Sequence, residues 1–140
     1  MIRRPRKTFL KLKTILVLMR SKVELSKDVL FVKLIGHIDN EEALGVEIAI
    51  RKIFQKEQRP LIIFIDLRDG KDIDKRAQRV LTGTIKVDGP MVIRTAVLYS
   101  DTKLGAKAKV LYRMGKRDVE FFTDKDKAMA WLREWNKIDL

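Results

Sequence analysis

The sequence predicts an α/β fold: a small, mixed, mostly parallel sheet of four to five strands with about four helices. Three observations carry this. Leu61–Ile65 is a continuous apolar run that continues into Asp66-Leu67, set between Pro60 and Gly70, as expected of a strand buried on both faces. Val92–Tyr99 is a second such run, interrupted only by Arg94 and Thr95. Segments with helical spacing alternate with these strands, which implies parallel crossovers with helices packed on the sheet.

The elements follow in order. Val23–Leu25 and Val29–Ile35 read as two short strands joined by the turn Ser26-Lys27-Asp28, an antiparallel hairpin at the sheet edge. Asp39 precedes Glu42 by three residues, the spacing of a capping box. Beyond it Ala43, Val46, Ile50, Ile53 and Phe54 line one helix face, and Pro60 marks its far side. The buried strand Leu61–Leu67 comes next. A second helix is expected from Asp74 to about Ile85, with Ala77, Val80, Leu81 and Thr84 inward. Gly89-Pro90 breaks the chain before the strand at Val92–Tyr99. Ser100 and Asp101 are expected to cap a third helix, with Leu104, Ala108, Leu111 and Tyr112 inward up to Gly115. Val119–Phe122 is the last strand. Thr123 and Asp126 form a second capping pattern, and Ala128, Trp131, Leu132 and Trp135 make an apolar stripe. The predicted order is β-β-α-β-α-β-α-β-α.

A chain of 140 residues fits one domain and buries a core without staples. It has no cysteine and a single histidine, His37. Disulfides, a thiol nucleophile and cysteine-based metal sites are therefore excluded, and a histidine-based triad is argued against. No apolar run approaches the roughly 20 residues that span a bilayer, and a reduced cytoplasmic compartment is the expectation.

The formal charge of +12 is unevenly placed. Residues 1–22 hold eight cations (Arg3, Arg4, Arg6, Lys7, Lys11, Lys13, Arg20, Lys22) and no acid, so residues 23–140 carry only +4. Residues 1–21 are thus read as a basic extension and residues 22–140 as the domain. Within the extension Phe9, Leu12, Leu16 and Met19 fit a basic amphipathic helix, whereas Leu10 and Leu12 alternate with lysines as in an exposed strand. A start-site artefact with Met19 as initiator stands beside a genuine tail. The tail could hold phosphates or acidic lipids by charge alone. For the domain itself nucleic-acid binding is weakly supported, because no aromatic is interleaved with its cations near Lys71, Lys75, Arg76 and Arg79.

Nucleotide-cradling glycine motifs are absent. Asp39, Asp66, Asp69, Ser100 and Asp101 gather at expected strand ends, where open α/β sheets place their sites. An acidic set around Mg²⁺ would need an acidic pair after the first parallel strand and a lysine after the last, and neither is present. Helix caps explain Asp39, Ser100 and Asp101. His37 beside Gly36 reads as a partly exposed turn residue. No catalytic residue, metal ligand or cofactor is expected.

Leu34-Ile35-Gly36-His37-Ile38-Asp39 resembles the L-x-G-x-[IL]-D element of STAS domains, which include the bacterial anti-sigma-factor antagonists. In that family a buried strand ends in Asp-Leu, and Asp-Ser follows eight residues on, the serine being phosphorylated. Here Asp66-Leu67 is followed eight residues on by Asp74, with Lys75 at the serine position. The ending Phe121-Phe122-Thr123-Asp124, then Ala128, Trp131 and Leu132, is similar to the STAS/SEC14-like branch, as are Arg94–Leu98, Tyr99-Ser100-Asp101 and Asp66-Leu67-Arg68. The resemblance covers roughly residues 22–135.

It implies a non-catalytic module that docks a protein partner. It also implies that the serine switch is lost here, since a lysine cannot take its place. Asp66, Arg68, Asp69, Asp74, Lys75 and Arg76 are the expected contact surface. A carrier or sensor of a small apolar ligand or lipid is the alternative, and an electrostatic membrane or nucleic-acid tether through the tail is a third. Oligomeric state is left open, with Val92 and the hairpin edge available for pairing.

Overall fold

The computed structural model describes residues 19–88, 91–114 and 118–136. The basic segment 1–18, Gly89-Pro90 and Gly115 lie outside the described residues, as do the side chains of Thr84, Ile85, Leu111, Tyr112 and Trp135. The order is β1 (Lys22–Ser26), β2 (Val29–Lys33), β3 (Gly36–Ile38), α1 (Asn40–Glu57), β4 (Leu61–Asp66), β5 (Gly70–Ile73), α2 (Lys75–Asp88), β6 (Val92–Leu98), α3 (Lys103–Met114), β7 (Val119–Phe122) and α4 (Lys125–Asn136).

The main sheet has five strands in the order β1-β2-β4-β6-β7. Only the β1–β2 pair is antiparallel, as the sequence predicts. Ser26 pairs with Val29, so the connection is a two-residue turn with Lys27 at φ 55°, a positive value that suits tight hairpins. Arg59 secures this turn by an ion pair to Asp28 and by Nη2 donating to the Lys27 carbonyl at 3.0 Å.

All six residues of β4 are buried, because the sheet is covered on both faces. On one face Leu61, Ile63 and Ile65 meet Val46, Ile50 and Phe54 of α1, Ala77 of α2, and Leu104 and Ala108 of α3. On the other, Ile62 and Phe64 meet Ala128 and Leu132 of α4. Three helices therefore shield one side and α4 the other, among the described elements. Trp131 is half-buried, tilted against Phe122 at 5.6 Å, with the Arg94 guanidinium 3.7 Å above its ring.

Three local readings are corrected. The third helix is capped by Thr102, whose Oγ1 accepts from the Gly105 amide at 3.2 Å, and not by Ser100 or Asp101. The last helix is capped by Asp124, whose Oδ1 accepts from the Asp126 amide at 2.8 Å, and not by Thr123. In both cases the helix starts one or two residues later than the pattern indicates, and the side chain immediately before it takes the free amides. Finally, β3 and β5 form a separate two-stranded parallel sheet that the sequence does not announce. His37 accordingly sits in a strand rather than a turn. Three- and four-residue segments such as Gly36–Ile38 and Gly70–Ile73 are too short to express a period.

Candidate functional site

The site begins where β4 runs out of apolar residues. Asp66 is only 9% exposed, and its carboxylate is enclosed by Arg68. Oδ1 accepts from the Arg68 backbone N–H at 3.0 Å and from Nε at 3.1 Å, while Oδ2 accepts from Nη2 at 3.0 Å. Burial pushes the Asp66 carboxyl up, but the side-chain and backbone hydrogen bonds from Arg68, with the charges of Arg68 and Lys33, outweigh it and hold it below the usual range. A carboxylate committed in this way orders the loop and is not poised as a base. Lys33, paired in register with Asp66, reaches past it to Asp69 Oδ2 at 3.0 Å.

The loop then passes Gly70, where only hydrogen fits. A Cβ there would lie 2.2 Å from Cδ2 of buried Leu104. From this point β5 runs beside β3, with His37 opposite Asp72 and Ile38 opposite Ile73. The Gly36 amide donates to the Asp69 carbonyl at 2.8 Å, and the Asp74 amide to the Ile38 carbonyl at 3.0 Å. Asp72 anchors β5 to α3. Its Oδ1 accepts from Lys107 Nζ at 2.7 Å, and Lys107 also donates to the Ile73 carbonyl at 3.1 Å. The Lys107 hydrogen bond and that of the Ile73 amide hold the Asp72 carboxyl below its ordinary value.

At the far end of β5, Asp74 Oδ1 pairs with His37 Nε2 at 2.8 Å. Helix α2 starts immediately after, with Lys75 and Arg76 exposed and no acid in its first turn. Cations at a helix N-terminus oppose the macrodipole. Lys75 and Arg79, four apart on the solvent side, repel each other weakly. Three of the region's four aspartates are thus answered by internal cations, Asp66 by Arg68, Asp69 by Lys33 and Asp72 by Lys107, while Asp74 shares a hydrogen bond with the His37 ring. Among the described residues, Lys71, Lys75, Arg76 and Arg79 make no ion pair.

The predicted surface residues therefore fall into two groups. Asp66, Arg68 and Asp69 lie at one end of β5, and Asp74, Lys75 and Arg76 at the other. The five residue steps from Asp69 to Asp74 span roughly 16 Å at strand rise. The β3–β5 pair links these two ends.

A further cluster ties the chain's entry to this edge. Glu42, 6% exposed, accepts from the Arg20 amide on Oε1 at 3.1 Å and from the Ser21 amide on Oε2 at 2.7 Å. Asp39 caps α1 as predicted, its Oδ1 accepting from the Glu42 amide at 2.8 Å, but Glu42 turns to Arg20 and Ser21. Buried Ser21 in turn accepts from the Ile35 amide at 3.1 Å. The Arg20 guanidinium donates to the His37 carbonyl at 2.7 Å and lies across Gly36, whose φ is +72° and where a Cβ would meet Arg20 Nη1 at 3.1 Å. The left-handed backbone favours glycine at Gly36, and a Cβ there would also press on the exposed Arg20 guanidinium.

Sequence reasoning missed Lys33, Lys107, Arg20 and the second role of Glu42. Each acts on a partner far along the chain, and only the capping spacing at Glu42 gave any local signal. Among the described residues no group of three His, Asp or Glu side chains is arranged to hold a metal ion, and no helix is long and apolar enough to cross a membrane.

The architecture is that of the anti-sigma factor antagonists. An uncharacterized DUF3478-family protein with a SpoIIAA-like fold, from Shewanella loihica PV-4, superposes with a TM-score of 0.65 at 19% identity, over 80% of this chain and 91% of its own. The anti-sigma factor antagonist SpoIIAA in its unphosphorylated form gives 0.60 at 13% identity, over 81% and 97%. An anti-sigma factor antagonist from Mycobacterium paratuberculosis gives 0.58 at 21%, over 81% and 92%. No protein-family model matches the sequence, and no curated protein matches it significantly. At these identities the likeness defines the SpoIIAA-like, or STAS, fold.

Proposed function

We propose that this chain is a non-catalytic STAS-like regulatory module that docks a protein partner through the β5 edge, at Asp66, Arg68, Asp69, Asp74, Lys75 and Arg76. The observation that carries this is the charge arrangement. The acids are spent on fixing the loop and the two strands, whereas Lys75 and Arg76 stand exposed and unpaired among the described residues. A surface of fixed shape with free cations suits recognition. The fold shared with anti-sigma factor antagonists supports a regulatory role. Because Lys75 stands at the family's serine position, the module is not switched by serine phosphorylation there. We assign it to residues 22–140, with residues 1–21 as a basic extension, acting in the cytoplasm.

Affinity capture from the native host tests this. The double reversal K75E/R76E removes the captured partner, while K125E/K127E, an equal charge change at the start of α4, leaves it. Equal capture by all three proteins would refute the assignment of the surface.

A further inference from the structure

Glu42 and Ser21 are buried, at 6% and 3% exposure, and neither belongs to the docking edge. Among the described residues Glu42 makes no ion pair. Its carboxylate is answered instead by the Arg20 and Ser21 amides, in the first turn of α1, where the helix dipole favours a negative charge. A buried charge is tolerated only while such donors stay in place. The backbone at residues 20–21 is therefore pinned, and what those two residues hold next is β3.

β3 and β5 form a two-stranded sheet of three and four residues, too short to stand alone. Each strand needs an anchor outside the pair. For β5 it is Lys107, which bonds Asp72 and the Ile73 carbonyl. On β3 the Gly36 amide and the Ile38 carbonyl face β5, so the His37 carbonyl between them points away. Arg20 Nη2 donates to that outward carbonyl at 2.7 Å, and Ser21 Oγ accepts from the Ile35 amide just before the strand. The His37 ring then meets Asp74 Oδ1 at 2.8 Å, and the Asp74 amide returns to the Ile38 carbonyl at 3.0 Å. Hydrogen bonds thus lead from Glu42 to the residue immediately before Lys75 and Arg76.

We propose that Glu42, Ser21 and Arg20 form a positioning clamp for the α2 end of the docking edge. They hold β3 from its free side and, through His37, set where Asp74, Lys75 and Arg76 stand. The role in docking rests on the reading of the β5 edge as the contact surface; the clamp itself is tested without a partner. Arg20 is the residue to change first, because it is exposed and its loss leaves the core intact.

His37 is the only histidine of the chain, so its imidazole NMR signal reports the clamp without ambiguity. In the full chain at fixed pH, R20M removes the donor and keeps aliphatic bulk, R20K keeps a donor, and E42Q leaves one of the two amides without its acceptor. R133M, at an exposed arginine of α4, is the control. The expected result in R20M is a displaced His37 ring signal and amide exchange at Asp74 faster by about two- to ten-fold, as the loss of one hydrogen bond implies. R20K moves both back toward the unaltered protein, E42Q reproduces the R20M result, R133M changes neither, and the amides of β4 keep their rates. Should E42Q fail to fold, R20M decides alone. An unchanged His37 signal and Asp74 rate in R20M overturn the clamp, as does exchange that rises equally in β4, which would mean a global loss of stability. In affinity capture, R20M weakens retention of the partner that K75E/R76E removes; full retention by R20M overturns the clamp's part in docking. A partner retained by K75E/R76E refutes the contact surface instead, and the His37 and Asp74 readouts still decide the clamp.

Discussion

Glu42 shows how one buried carboxylate joins distant parts of this chain. It sits in the first turn of α1, where its charge also favours the helix, yet its oxygens hold the amides of Arg20 and Ser21. Truncation to alanine leaves those donors without their acceptor, at a cost of about 1–3 kcal/mol. Urea unfolding of Glu42→Ala should show that loss, with faster amide exchange at Arg20 and Ser21; an unchanged midpoint would contradict the role. Asp66 makes a prediction in pH. Its folded pKa is depressed below the ordinary carboxyl value of about 3.9, so the unfolded chain binds the proton more readily. The stabilisation is therefore complete above the unfolded pKa and is lost as pH falls through the folded value. The stability difference between the unaltered protein and Asp66→Asn, measured by urea titration at pH 6 and pH 3, should shrink at the lower pH. A constant difference would mean that Arg68 does not depress the group. Neither residue's partner was fully legible in the sequence. Asp66 and Arg68 lie two apart and both fall in the expected contact surface, but the pairing of Asp72 with Lys107 joins positions 35 apart, which no local pattern encodes.

At the scale of elements, legibility followed length and burial. β4 announced itself because a strand covered on both faces is apolar at every position, and α1 because its face repeats over 18 residues. β3 and β5 did not, being short and mixed, and they are the strands that join the two ends of the candidate site. Their position depends on close approach to α3 at Gly70. A Cβ placed 2.2 Å from Leu104 Cδ2 forces a shift of either β5 or the leucine. Gly70→Ala should therefore cost about 1–3 kcal/mol, as overpacking usually does. If the collision is the cause, Leu104→Ala in the same chain should relieve part of that cost, giving a non-additive double-mutant cycle. Additive losses would place the effect in the backbone instead.

For the whole molecule, the described helices cover the sheet with three on one face and α4 on the other, while the edge proposed for docking is built from loops and the small β3–β5 sheet. Charge follows the same division: internal pairs set the shape of the edge, and cations unpaired among the described residues are left where α2 begins. The resemblance read from Leu34–Asp39, Asp66-Leu67 and Asp74 led to the fold that the solved structures share. The same resemblance implies that Lys75 takes the position of the family's phosphorylatable serine. The most direct measurement places a photoreactive residue singly at Asp69, Lys75 or Lys127 and irradiates the full chain in its native cells. A docking module working through the β5 edge gives the same discrete protein adduct from Asp69 and Lys75 and none from Lys127. An adduct confined to Lys127, or of equal yield at all three positions, would contradict it.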